Sequence, residues 1–148
     1  LPVLALPALL PDRELYRLPA PWLYLTLTGQ ALAALALAIG LLQTGVWAFL
    51  GLRQLFQPAV EDPPVLVVRG LYSWVRHPLY TAGLLLIWLL PVMTTNLLAL
   101  NLGLTLYIVV GAVFEERKLL REFGQAYLDY QRRVPMIVPF LGRGKKLD

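Results

Sequence analysis

The sequence predicts an all-α, polytopic integral membrane protein with a helical hairpin and a C-terminal amphipathic helix on the cytoplasmic side. Three observations predict this. Of 148 residues, 58% are hydrophobic and 15% charged, against roughly 45–50% and 25% in soluble domains. The charges are also segregated: Arg17 to Arg53 and Arg76 to Glu115 bracket uncharged runs of 35 and 38 positions, each longer than the about 20 apolar residues that a spanning helix needs. Finally, eight of the thirteen Lys and Arg follow Glu115, the placement that the positive-inside rule gives a cytoplasmic tail. These features exclude a soluble globular enzyme, a disulfide-stapled secreted domain (the chain has no cysteine) and a disordered chain. That tail accounts for the net charge of +4. No stacking aromatics alternate with its charges, so no nucleic-acid partner is expected.

The elements follow in order within one domain, 1–148, of which 1–56 forms N-terminal membrane helices and 57–140 a cofactor-binding core. Leu1 to Leu10 reads as the end of a further apolar segment, so helices are expected upstream. Asp12 to Arg17, then Pro19 and Pro21, form a polar, helix-breaking link. From Trp22 to about Leu52 a helix would run roughly 46 Å, more than the ~30 Å hydrocarbon core, and must tilt, break near Gly40 or Gly45, or emerge. Gly29, Ala33, Ala36 and Gly40 offer it a close-packing stripe. Arg53 to His77 is a long polar loop interrupted by Pro63-Pro64, and loops of that length are usually functional. Pro78 starts a helix to Trp88 or Leu90, Pro91 perturbs its end, Thr94-Thr95-Asn96 turns, and Leu97 to Phe114 returns. Beyond Glu115 the pattern becomes amphipathic: Leu119, Leu120, Phe123, Tyr127, Tyr130 and Val134 recur at spacings of three and four. The helix from about Glu116 to Arg133 therefore needs a surface to cover, with Gly124 as an interruption costing about 1 kcal/mol relative to Ala.

Ionisable groups beside apolar spans are costly and point to function. Two junctions carry them: Arg76-His77-Pro78-Leu79-Tyr80, with the chain's one histidine, and Glu115-Glu116. An antiparallel hairpin brings both to one membrane face. Read without function, they are interfacial charges or an ion pair. One histidine and no cysteine make a metal site unexpected. Ser73, the one serine, lacks a nucleophile elbow, and Gly70-Leu71-Tyr72 is not a phosphate-cradling loop.

Arg69-Gly70-Leu71-Tyr72, Arg76-His77-Pro78-Leu79-Tyr80 with Gly83, Glu115-Glu116, Phe123-Gly124, Tyr127, Tyr130 and Val134-Pro135 together resemble the C-terminal core of the isoprenylcysteine carboxyl methyltransferase and phospholipid methyltransferase superfamily. The resemblance covers about Gln57 to Phe140. It implies an S-adenosyl-L-methionine-dependent membrane methyltransferase whose cofactor lies on the cytoplasmic side between hairpin, preceding loop and C-terminal helix. Carried onto this chain, it places Gln57, Val65, Leu66, Val67, Tyr72, His77, Pro78, Leu79 and Tyr80 at the cofactor, and Glu115 at the cofactor's amino acid moiety. Arg76 and His77 are expected in catalysis, and Arg76 and Glu116 at the substrate. Where isoprenylcysteine methyltransferases have an arginine for the substrate carboxylate, four positions before the matched glutamate, this chain has Gly111. Pro91 to Thr94 and Val134 to Pro139 look more like the bacterial branch that includes methanethiol S-methyltransferases. The expected acceptor is thus a small or lipophilic molecule, a thiol ahead of a carboxylate or a lipid amine, and the expected location is the bacterial inner membrane, within the lipid bilayer. Two rivals remain: an NADPH-dependent reductase related to membrane sterol reductases, with Arg69, Arg76 and Arg117 on the 2′-phosphate, and a non-catalytic membrane assembly protein.

Overall fold

The computed structural model describes residues 11–44 and 65–139, the side chains of 43 and 44 excepted. Within them the order is β1 (Glu14–Arg17), α1 (Trp22–Thr44), a 3-10 turn (Gly70–Ser73), α2 (Pro78–Trp88), β2 (Val92–Thr94), α3 (Thr95–Phe123) and α4 (Gln125–Arg133). The expected continuation of α1 to Leu52, the loop from Arg53 to Pro64, and Phe140 lie outside the described residues.

Among the described residues, two helices are long and apolar enough to cross a membrane, over Trp22–Leu42 and Thr95–Phe123. Their outward side chains, among them Leu32, Leu42, Leu106 and Tyr107, are exposed, an apolar surface that suits lipid and not water. By contrast, the 11 residues of α2 cover about 16 Å, half the hydrocarbon thickness. Pro78 starts α2 at its first turn, where a missing N–H costs nothing. Pro91 limits it: the residue before a proline is pushed out of the α region.

The structure corrects two expectations. The return helix does not stop at Phe114 with a separate amphipathic helix beyond it. α3 runs unbroken for 29 residues through Glu115 to Phe123, because Glu, Arg, Lys and Leu all favour helix and a change of polarity does not end one. The break falls at Gly124, with φ +52, a conformation that a β-carbon disfavours. Secondly, the fold is not helical throughout. β1 pairs antiparallel with β2, Glu14 opposite Thr94 and Arg17 opposite Val92 with an irregularity between, so the polar link after Pro11 is tied to the hairpin turn. Asp12 completes the tie: Oδ1 accepts from the Asn96 N–H and the Thr95 hydroxyl, each at 3.1 Å, while the Thr94 hydroxyl accepts from the Leu97 N–H. Orphan donors at the start of α3 are thereby met, and the bond from Asn96 holds the Asp12 carboxyl below its ordinary range.

α1 packs antiparallel on α2 through the expected small-residue stripe. Ala33 is buried, Gly29 abuts Leu89 and Gly40 abuts Leu79, and the Gln30 side-chain amide donates to the Leu86 carbonyl at 3.0 Å. α2 and α3 are joined by the buried Asn101, which donates to the Ile87 carbonyl, and by Trp88 Nε1 donating to Thr105 Oγ1 at 2.9 Å. The far end of α2 is held by the segment after α4: the Arg76 and His77 N–H groups donate to the carbonyls of Pro135 and Met136 at 2.9 and 3.0 Å. The two junctions, His77 and Glu115-Glu116, therefore sit side by side.

A β-carbon at Gly40 would lie 2.6 Å from Leu79 Cδ2. Gly40→Leu is expected to lower stability by about 1–3 kcal/mol through overpacking, and Leu79→Ala in the same chain to recover part of the loss. Thermal unfolding in detergent checks both; an unaffected Gly40→Leu protein would contradict the packing.

Candidate functional site

Five hydrogen bonds converge on the Glu116 carboxylate, which is 9% exposed. Oε1 accepts from Arg76 Nε at 2.8 Å, from His77 Nε2 at 2.7 Å and from the Tyr127 hydroxyl at 2.7 Å. Oε2 accepts from Arg76 Nη2 at 2.8 Å and from the Gln131 amide. Arg76 in turn donates through Nη1 to the carbonyls of Gln131 and Val134, so four of its five N–H groups are committed. The cluster draws α3, α4, the start of α2 and the chain after α4 to one point. No buried side-chain polar atom among the described residues lacks a partner, which is the condition under which a buried ion pair is tolerated.

Above this cluster lies a cavity of about 350 Å³, within the about 300–1,000 Å³ typical of small-molecule sites. One wall is Val65, Leu66, Val67 and Tyr72 from the segment before α2; another is Arg76, His77, Pro78, Leu79 and Tyr80; α3 gives Glu115, Leu119, Glu122 and Phe123, and α4 gives Tyr127 and Tyr130. Glu115 is half-exposed at 45%. Its Oε2 accepts from the Tyr80 hydroxyl at 2.8 Å and lies 3.7 Å from His77 Nδ1, while its Oε1 has no partner among the described residues. The Tyr80 ring stacks on His77 with centroids 5.3 Å apart. Across the cavity the Tyr130 hydroxyl donates to the Tyr72 carbonyl at 2.6 Å, pinning α4 over the segment before α2. Burial raises the phenols of Tyr72 and Tyr127 above the ordinary value, Tyr127 also because it donates to Glu116, and burial pushes Tyr130 up to about 12. All three remain hydrogen-bond donors at neutral pH.

Of the residues singled out in the sequence, Val65, Leu66, Val67, Tyr72, Arg76, His77, Pro78, Leu79, Tyr80 and Glu115 line this one cavity. Gln57 lies outside the described residues. Glu116, expected at the substrate, does not line the cavity, and its oxygens accept five hydrogen bonds from the protein. Arg76, expected at the substrate and in catalysis, lines the cavity with four of its five N–H groups engaged by Glu116 and by the carbonyls of Gln131 and Val134. Sequence reading missed Leu119, Glu122 and Gln131. Glu122 is a charge within an amphipathic stretch, which polarity alone assigns to a solvated face. On one continuous helix, Glu115, Leu119, Glu122 and Phe123 stand at intervals of four, seven and eight, a single face. Gln131 is one turn beyond Tyr127 and shares its inward side.

Known proteins share this region. Methanethiol S-methyltransferase 2 of Bradyrhizobium diazoefficiens is 50% identical over 78 residues, 53% of this chain and 30% of that protein. Methanethiol S-methyltransferase of Crocosphaera subtropica is 34% identical over 132 residues, 82% of this chain and 52% of its own length. The chain belongs to the isoprenylcysteine methyltransferase-like superfamily. Human protein-S-isoprenylcysteine O-methyltransferase is 33% identical over 96 residues, 60% of this chain and 32% of that protein. The chain spans about half or less of the length of these relatives. No family model matches it, and no solved structure does. Within the superfamily core, the Glu116 cluster is what holds α4 over the cavity.

Glu116→Ala leaves a buried guanidinium unpaired and is expected to cost about 3–5 kcal/mol, whereas Tyr127→Phe, which removes one of five donors, should cost about 1.5–3 kcal/mol. Hydrogen exchange over residues 125–134 should accelerate in the first variant far more than in the second. Equal protection in the two variants would contradict the role given to the carboxylate.

Proposed function

We propose that this chain carries the cofactor-binding core of a membrane methyltransferase that uses S-adenosyl-L-methionine and methylates a small apolar thiol. The observation that carries the reading is the meeting, in one cavity, of the residues by which the chain resembles the methyltransferase superfamily. The donor set fits the cofactor. Glu115 offers an unpartnered carboxylate oxygen to an ammonium, the tyrosines offer hydroxyls and aromatic faces, and Val65, Leu66, Leu79 and Phe123 offer apolar walls to a flat ring. When bound, the cofactor supplies an electrophilic methyl group on a sulfonium. The protein's share is then placement and the exclusion of water: Tyr72 and Tyr130 close one side through their mutual bond, and the Glu116 cluster keeps Arg76 and His77 from shifting.

Charge favours this reading over a nicotinamide-dependent reductase. A nucleotide 2′-phosphate needs free cations, yet Arg76 is neutralised by Glu116 and neither Arg69 nor Arg117 lines the cavity. The side chains that do line it include Glu115 and Glu122. Charge also favours a thiol over a carboxylate acceptor. Gly111 faces open space, with nothing within 4 Å of a built β-carbon, and Arg117 lies over the Phe114 ring at 5.8 Å. An incoming carboxylate would find two like charges and no free guanidinium, at a cost of several kcal/mol; a neutral thiol meets no such penalty. Seven Lys and Arg among the described residues lie at the cavity end, against Arg13 and Arg17 at the sheet end, which supports a cytoplasmic cavity and C-terminal helix in a bacterial inner membrane. An apolar acceptor would then enter from lipid and a charged cofactor from the cytoplasm.

S-adenosylhomocysteine should bind the detergent-solubilised full-length protein at micromolar concentrations, and Glu115→Gln should weaken it about tenfold, the loss of one charged hydrogen bond. Isothermal calorimetry with NADPH in parallel decides between the readings; NADPH binding without S-adenosylhomocysteine binding would overturn the proposal. Turnover of methanethiol should exceed that of a prenylcysteine analogue, and the reverse order would return the acceptor to a carboxylate.

A further inference from the structure

We infer that Glu116 fixes the imidazole of His77 in the tautomer protonated at Nε2, so that Nδ1 is the group that takes the proton from the acceptor thiol. This rests on the methyl-transfer reading above. A carboxylate that already accepts from Arg76, Tyr127 and Gln131 has only acceptor oxygens to show. The ring nitrogen 2.7 Å from Oε1 must therefore carry the hydrogen. In a neutral imidazole the other nitrogen is then an unprotonated acceptor. That nitrogen is Nδ1. His77 is 6% exposed and lines the cavity, with Nδ1 3.7 Å from Oε2 of Glu115, another lining residue, so the lone pair is shielded from bulk water on the cavity side.

The charged and titratable groups packed around the ring are Arg76 and Glu116 below it, Tyr127 from α4, and Tyr80 and Glu115 beside Nδ1. None of them supplies a proton to Nδ1 in the neutral state. Tyr80 donates its hydroxyl proton to Glu115, and Arg76 is directed to Glu116 and to backbone carbonyls. Glu115 Oε2, 3.7 Å from Nδ1, is an acceptor and becomes the partner of Nδ1–H once the ring is charged. A free thiol ionises near pH 8.5 and attacks as the thiolate, so a base in the cavity raises the reactive fraction. In the step, the acceptor S–H bond breaks and its proton passes to Nδ1. The sulfur pair forms the new bond to the methyl carbon, and the electrons of the breaking sulfonium bond stay on the departing thioether. The proton then leaves past Glu115, whose side chain is 45% exposed. Arg76 and Glu116 act in this only through His77 and are positioning residues.

In full-length protein carrying ¹⁵N-histidine, the His77 imidazole, assigned by the signal lost in His77→Gln, should show a protonated Nε2 and an unprotonated Nδ1 at pH 7.5. A ring protonated at Nδ1, or at both nitrogens, overturns the inference. The kinetic arm uses His77→Gln, whose amide N–H reaches Glu116 but offers no base. Methylation of an alkyl thiol at pH 7 should fall about 100-fold or more, the usual scale of general-base catalysis, and recover as pH rises. For an aromatic thiol already ionised at pH 7 the loss should be at least about tenfold smaller than for the alkyl thiol. Equal losses with both thiols would show that His77 is structural and overturn the inference while leaving the methyltransferase reading intact. Absence of thiol turnover in the native protein would overturn both.

Discussion

A single buried carboxylate organises this protein. Glu116, on α3, sits where α4 and the start of α2 meet that helix, and each of the two sends it donors: Arg76 and His77 from the start of α2, Tyr127 and Gln131 from α4. Removing a charge from water is unfavourable unless every lone pair is filled. The five bonds meet that condition only in one arrangement of the three segments. The cavity follows from that constraint, because α4 and the segment ending at His77 can satisfy Glu116 only by arching over the face of α3 that carries Glu115, Leu119 and Glu122.

The neighbouring glutamates divide the work by exposure. Glu116 faces inward, spends both oxygens on the protein and sets geometry. Glu115 looks into the cavity, spends one oxygen on Tyr80 and keeps the other. Adjacent positions on a helix are about 100° apart, which follows from 3.6 residues per turn, so a Glu-Glu pair at this depth places one carboxylate in the scaffold and one in the cavity wall. Arg76 and His77 divide similarly: the guanidinium is consumed by the scaffold, while the imidazole uses one nitrogen for the scaffold and turns the other toward the site.

Much of this was legible in the sequence, for reasons that individual residues make clear. Uncharged runs reveal lipid-facing helices because a charge in hydrocarbon is costly, and α1, α2 and α3 as far as Phe114 fall inside them. Pro78 marks the start of α2 because proline fits a first helical turn. The junctions at His77 and Glu115 were recognisable as partners because an antiparallel hairpin returns its ends to the same level. What escaped sequence reading depended on pairings that periodicity does not encode. Nothing local predicts that β1 would pair with Val92 to Thr94. The division between Glu115 and Glu116 depended on the phase of α3, and that phase was lost when the helix was divided where its polarity changes. For the same reason Glu122 looks like any solvated charge in the sequence, and the ion pair open to Arg76 could be assigned to the Glu115-Glu116 junction but not to Glu116 itself.

The central claim is that the cavity above Glu116 holds the methyl donor while Glu116 itself stays with the protein. A structure of the full-length protein bound to sinefungin, in which a protonated amine replaces the methylated sulfonium, tests this most directly. The account predicts the ligand between Tyr72, Leu119 and Phe123, its amino acid ammonium on Glu115, and the five bonds to Glu116 unchanged. Sinefungin bound elsewhere, or seated with Glu116 released from Arg76 and turned toward it, would contradict the account.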